Sequence, residues 1–221
     1  MGVRDGTLRL YDYAASGNCY KVRLLLALLR QPYERVPVDI FAGDTLTAEY
    51  ARLNPLRETP VLELESGELL TQSNAILWYL AEGTPFLPST RLGRAQAAQW
   101  LSFEQEHVMG GIAGARFRRL TGRAAADSPG DAARFARGQR ALALLDAHLA
   151  GREWVVEESC TIADVSLFAY VHVADDAGFG LRSHPSVWDW LARVRGLDGF
   201  VDDLVPYPQN AWPGAGRSIY D

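Results

Sequence analysis

The 221-residue sequence predicts an α+β amino-terminal domain, ordered β-α-β-α-β-β-α, followed by an all-α helical domain. Three observations carry this reading. Residues 1–82 hold short alternating runs separated by helix-length apolar segments. Residues 83–91 contain Pro85 and Pro88 and read as a linker. Residues 92–205 are patterned as helices throughout. The closing stretch, 206–221, holds Pro206, Pro208, Pro213, Gly214 and Gly216 and is expected to be an irregular tail.

Each element has its own signal. Leu8 to Tyr13 alternates and predicts a strand. Ala14 to Asn18 is a turn of small residues. Cys19 to Arg30 is helix-length and strongly apolar, which predicts a buried helix. Tyr33 to Val38 is a second strand, placed at a sheet edge by Pro37, which has no N–H to give a neighbour. A loop and short helix follow over 42–53, stopped by Asn54-Pro55. Val61–Glu65 and Glu68–Leu70 pair across Ser66-Gly67 as a hairpin. Asn74 to Glu82 closes the domain as a helix. Further helices are expected near 93–121, 131–150, 161–177 and 184–196, with Gly110-Gly111 and Gly114 bending the first. Thr161-Ile162-Ala163-Asp164 has the pattern of a helix-start capping box. The tail's Tyr207, Trp212, Ile219 and Tyr220 predict that it packs on the body.

Bulk properties exclude several classes. The net charge of −5 argues against nucleic acid as a partner. Cys19 and Cys160 are too few for a disulfide framework and lack metal-ligand spacing, so no metal is expected. The charged start (Arg4, Asp5) lacks a signal peptide's apolar core, and no apolar run reaches membrane-spanning length. A cytoplasmic location follows as the expectation. Lys21 is the one lysine; every other basic side chain is arginine. With so much alanine, this suits a GC-rich, bacterial genome.

Two segments carry the functional signal. In Glu58-Thr59-Pro60-Val61-Leu62-Glu63-Leu64 a proline opens a strand, where it is tolerated and often cis. In Leu69-Leu70-Thr71-Gln72-Ser73-Asn74-Ala75-Ile76 a strand runs into a helix whose first turn holds Gln72 and Ser73. A serine there sets a hydroxyl beside free backbone donors, which suits an anion. Together they outline a shelf for a small peptide-like anion. The turn Ser16-Gly17-Asn18-Cys19-Tyr20-Lys21-Val22 enters a helix, where amides and dipole stabilise a thiolate.

These residues resemble the glutathione site of the bacterial cytosolic glutathione S-transferases, and the resemblance spans nearly the whole chain. It implies a thioredoxin-like first domain and glutathione as co-substrate. Ser16 matches the hydroxyl donor of serine-type members. Asn18 is similarly placed to the amide donor of some bacterial disulfide-bond reductases, and Cys19 to the cysteine of beta-type enzymes. All three stay open as thiol activators. The first position of a Cys-x-x-Cys motif is Ser16, so a dithiol mechanism is unavailable. Thr59, before Pro60, matches the backbone partner of the cysteinyl part. Gln72 and Ser73 match the pair that receives the γ-glutamyl carboxylate. Glu58 departs from the Lys, Arg or Gln of many members and faces the glycyl carboxylate with like charge, unless Arg57 or Lys21 compensates. The Thr161–Asp164 box resembles the one in the family's helical domain.

The resemblance also implies a second-substrate pocket under the first long helix, with Phe103, Glu106, His107, Gly110 and Arg116 on one face. Arg116, Arg118, Arg119 and Arg123 attract an anionic substrate or form a solvated, acid-paired face. A homodimer is implied, with residues 74–78 and that helix near its interface. The implied activity is attack of the glutathione thiol on a small electrophile, with disulfide or peroxide reduction beside it. The competing readings are a non-catalytic interaction module of this fold, like the stringent-starvation relatives that contact RNA polymerase, and a redox enzyme using Cys19.

Overall fold

In the computed structural model, residues 7–220 are described; Arg4 and Asp5, read above as part of a charged start, lie outside them. The chain divides into two units. One runs to Leu80 and takes in the segment from Val201 onward, and the other is Ala81–Phe200.

Alternation in β1 (Leu8–Asp12) turns Leu8, Leu10 and Asp12 to buried positions. Helix α1 (Gly17–Leu28) begins two residues earlier than its apolar run, because Ser16 adopts extended backbone and caps it. Strand β2 (Tyr33–Pro37) lies parallel to β1, while β3 (Val61–Glu63) and β4 (Leu69–Thr71) continue the sheet antiparallel. The order β2-β1-β3-β4 leaves β2 at the edge, where the missing N–H of Pro37 costs nothing. Short helix α2 (Ala48–Leu53) is capped by Thr47, and α3 (Ser73–Ala81) closes the domain. Leu8, Leu10 and Leu62 pack with Val22 and Leu26 of α1 and Ile76 of α3. Val38, Tyr50 and Val61 form a second cluster. This is a thioredoxin-like domain.

The tail belongs to this unit and is strapped along it. Tyr20 Oη donates to Val201 O at 2.7 Å. The fully buried Arg23 guanidinium joins Asp12 of β1 (2.6 Å) to Asp203 of the tail (2.9 Å). Asn210 donates to Asp39 at 2.9 Å, and Arg217 N–H to Phe41 O at 2.7 Å. Gly216 lies so close that a Cβ there would sit 2.6 Å from Phe41 O. Residues Gln209–Ala211 make one 3₁₀ turn, so the tail is not wholly irregular. Tyr220 meets the Phe41 ring at 6.2 Å, yet Trp212, Ile219 and Tyr220 all stay largely exposed.

The second unit is helical. Helix α4 (Arg91–Phe103) is capped by Thr90. The interruption expected at Gly110-Gly111 and Gly114 takes the form of a π-helix over Glu104–Ala113, after which the chain resumes as α5 (Gly114–Leu120). Gly111 packs on Gly138 of α6 (Pro129–Leu149), where a Cβ would lie 2.6 Å from the Gly138 nitrogen. The glycines there serve contact between two backbones. Helices α7 (Ile162–Val171) and α8 (Pro185–Arg195) complete the unit, with 3₁₀ turns at Ala174–Ala177 and Leu181–Ser183 between them. The all-helical second domain is as the sequence predicts. No helix among the described residues is long and apolar enough to cross a membrane.

Asp131, in the first turn of α6, bonds Arg118 and accepts the Ala125 N–H. The Arg118 bond, then the Ala125 amide, holds its carboxyl down at about 2, from an ordinary 3.8. A depressed folded value means stability that is present above 3.8 and lost as pH falls toward about 2. Asp131→Asn should therefore flatten the acid arm of a melting-temperature profile in that window. An unchanged acid arm would show that the pair adds no pH-dependent stability.

Candidate active site

The turn before α1 is built by Ser16. Its N–H bonds Tyr13 O at 2.9 Å, and its Oγ accepts the Cys19 N–H at 3.3 Å. A hydroxyl that accepts in this way keeps its own proton to donate. Ser16 and Asn18 are half-buried. The N–H groups of Gly17 and Asn18, at the positive end of α1, have no partner among the described residues.

Cys19 lies beneath this turn, fully buried, its Sγ accepting the Tyr13 N–H at 3.4 Å. Burial, then the nearby Asp12 carboxylate, pushes its thiol up to about 12. The Tyr13 amide acts in the opposite direction and is outweighed. A thiol with no exposed surface that stays protonated at neutral pH is a poor nucleophile. The geometry gives no support to Cys19 as the activator.

The Thr59–Pro60 bond is cis, and Pro60 is buried. The Thr59 backbone N–H and C=O have no partner among the described residues, so they present one donor and one acceptor, as a strand edge does. The preceding carbonyl, Glu58 O, is pinned by Tyr50 Oη at 3.0 Å and Asn54 Nδ2 at 2.9 Å. The Glu58 side chain is exposed and forms no ion pair among the described residues. Arg57 does not compensate it; its guanidinium donates to Thr45 O (2.9 Å) and Thr47 O (3.1 Å).

At the start of α3, Gln72 is exposed with φ +67°. Backbone held in the left-handed region by a non-glycine residue costs about 1–2 kcal/mol and recurs at ligand clamps. Ser73 is buried, with its N–H unused among the described residues. Its hydroxyl donates to Asn18 Oδ1 at 3.3 Å and accepts from Lys21 Nζ at 3.4 Å. Lys21 Nζ also donates to Asn18 Oδ1 at 3.0 Å. Lys21 thus serves this cluster and not Glu58. Sequence reasoning missed its part here, although a single lysine in an arginine-rich chain was the available signal.

Asn18 and Ser73 are brought together through Lys21, and Ser16, Thr59 and Pro60 lie in the same first unit. Phe103, His107 and Arg116 belong to the second. The Phe103 and His107 rings lie 4.9 Å apart. Arg116 is buried and paired with Asp176 at 2.8 Å. Arg118 is taken up by Asp131 and Arg123 O. The arginine cluster is thus an acid-paired face at these two positions. Among the described residues, no group of His, Cys, Asp and Glu is placed to hold a metal ion.

Residues 15–82 match the family model of the glutathione S-transferase N-terminal domain, and residues 124–193 that of the C-terminal domain. A glutathione S-transferase-like protein of Fusarium sp is 31% identical over 196 residues, covering 84% of this chain and 87% of that protein. A disulfide-bond oxidoreductase of Escherichia coli (strain K12) is 29% identical over 191 residues, covering 83% and 88%. The crystal structure of a glutathione S-transferase from Pseudomonas fluorescens is similar with a TM-score of 0.86 at 42% identity, covering 90% of this chain and 100% of that one.

Proposed function

The chain belongs to the glutathione S-transferase family, and from that premise we propose that it binds glutathione along Thr59, Gln72 and Ser73 and activates the thiol at Ser16 for attack on a small electrophile. The observations that carry this are the unused Thr59 backbone pair before a cis proline and the serine that caps α1. The cysteinyl part of glutathione pairs with the Thr59 N–H and C=O. The γ-glutamyl carboxylate takes the Ser73 N–H. The sulfur then sits at the start of α1, within reach of the Ser16 hydroxyl.

A free cysteine-type thiol has a pKa of about 8.5, so most of it is protonated at neutral pH. Donation from Ser16 and the α1 amides favours the thiolate, and each unit of lowering is worth about 1.4 kcal/mol. The thiol proton leaves to solvent. The sulfur lone pair forms a bond to an electrophilic carbon, and the leaving group departs with its electron pair.

A second reading is favoured by Asn18, whose carboxamide lies at the same helix start, and by the likeness to a disulfide-bond oxidoreductase. There the thiolate attacks one sulfur of a disulfide and the other leaves as thiolate. A second glutathione then resolves the mixed disulfide. Parallel assays with chlorodinitrobenzene and with a small disulfide separate the two. Turnover of neither, with glutathione bound, would overturn both. The proposal extends to a cytoplasmic, bacterial homodimer acting in detoxification. Light scattering tests the dimer, and a monomeric mass would remove it.

Glu58 provides an independent check of where the glycyl end lies. Two like charges several ångströms apart in water repel by roughly 0.6 kcal/mol. Glu58→Gln should therefore tighten glutathione binding roughly threefold at low salt, and less at high salt. Unchanged affinity at low salt would place the glycyl carboxylate away from Glu58.

A further inference from the structure

We propose that Lys21 is a positioning residue for thiol activation: it decides which edge of the Asn18 carboxamide faces the ligand. The inference rests on the reading that glutathione binds at this site.

Lys21 is 0% exposed. Its Nζ donates to Asn18 Oδ1 at 3.0 Å and to Ser73 Oγ at 3.4 Å, and Ser73 Oγ donates to Asn18 Oδ1 at 3.3 Å. Two donors thus converge on one carboxamide oxygen. A serine hydroxyl pairs equally well with either end of a carboxamide, because it both donates and accepts. An ammonium only donates. Of the two neighbours, Lys21 alone discriminates between the oxygen and the nitrogen.

With Oδ1 held inward by a buried ammonium, Nδ2 takes the opposite edge of a half-exposed side chain. Asn18 Nδ2 has no partner among the described residues. It is therefore presented as a donor at the start of α1, where the glutathione sulfur and γ-glutamyl group lie in the proposed pose. A carboxamide turned the other way would offer its oxygen to a thiolate or carboxylate, a repulsive contact. Lys21 and Asn18 are three residues apart on α1, and Ser73 opens α3, so one ammonium ties both helix starts to one orientation. The Ser73 proton is committed to Asn18. That leaves the Ser73 N–H as the group facing the ligand.

A double-mutant cycle tests this. Wild type, Asn18→Ala, Lys21→Met and the double variant are compared in kcat and KM with glutathione and chlorodinitrobenzene. Melting temperatures monitor the fold. Each single change should lower kcat/KM about tenfold, and the double variant should fall less than about threefold below the worse single one. A residue that merely supports the structure would multiply with Asn18→Ala, and a multiplicative result overturns the proposal. So does wild-type kcat/KM in either single variant. If the Lys21→Met protein does not fold, Lys21→Gln carries the same cycle, because its amide both donates and accepts and releases the choice of edge. A wild-type protein that binds no glutathione in a calorimetric titration overturns the underlying reading instead. Binding with a multiplicative cycle overturns this proposal alone.

Discussion

Replacing Ser16 with alanine is expected to lower kcat for glutathione conjugation about a hundredfold, the usual cost of removing one aimed donor, while glutathione affinity changes less than about threefold. The asymmetry follows from what the hydroxyl touches. Affinity comes from the Thr59 backbone and the start of α3, which the substitution leaves alone. The thiolate is favoured at α1, where Ser16 Oγ accepts the Cys19 N–H and has its own proton to give. Alanine also removes the helix cap, at about 1 kcal/mol of stability. Ser16→Asp separates the two effects. It keeps a capping oxygen but sets a negative charge against the sulfur, so it should fold and be inactive. Ser16→Thr keeps the hydroxyl and should retain most of the activity. Full turnover in Ser16→Ala would move activation to Asn18.

The largest effect on stability is expected at Asp164. Its carboxylate, fully buried, accepts from Val155 N–H at 3.0 Å, Thr161 N–H at 2.9 Å, Thr161 Oγ at 3.2 Å and Trp190 Nε1 at 2.9 Å. The residue closes the capping box of α7 and ties that helix to α8 through Trp190. Asp164→Ala strands these buried donors together. The expected loss is about 4 kcal/mol, or roughly a 10 °C fall in melting temperature for a chain of this size. Thr161→Ala removes one capping oxygen and should cost only about 1 kcal/mol. A fall of a degree or two in Asp164→Ala would mean that water replaces the carboxylate. Catalytic constants of the folded fraction should be unchanged.

The fold was largely legible because its signals are local. Pro37 marked an edge strand, and the Thr161–Asp164 spacing marked a helix start. The backbone half of the site was legible for the same reason. Pro60 and Ser73 announce themselves by position, and a backbone partner such as Thr59 needs no particular side chain. What stayed hidden depends on contacts between distant residues. Arg23 reaches 180 positions to Asp203, and nothing in the tail's composition names that partner. The π-helical winding over Glu104–Ala113 contains the close approach of Gly111 to Gly138, a contact between residues 27 positions apart. Burial of the helix that Cys19 begins is legible in its apolar run, but which of Ser16, Asn18 and Cys19 keeps an exposed side chain depends on the packing around the turn. Lys21 reads from sequence as a counter-charge to Glu58, because its partner Ser73 is 52 positions away.

The most direct test of the central claim is a calorimetric titration of the purified protein with reduced and oxidised glutathione. Saturable binding of the reduced form, spared by Ser16→Ala, is the predicted result. No heat with either form, and no binding in a parallel fluorescence titration, would contradict the account. The chain would then use this fold to bind a protein partner.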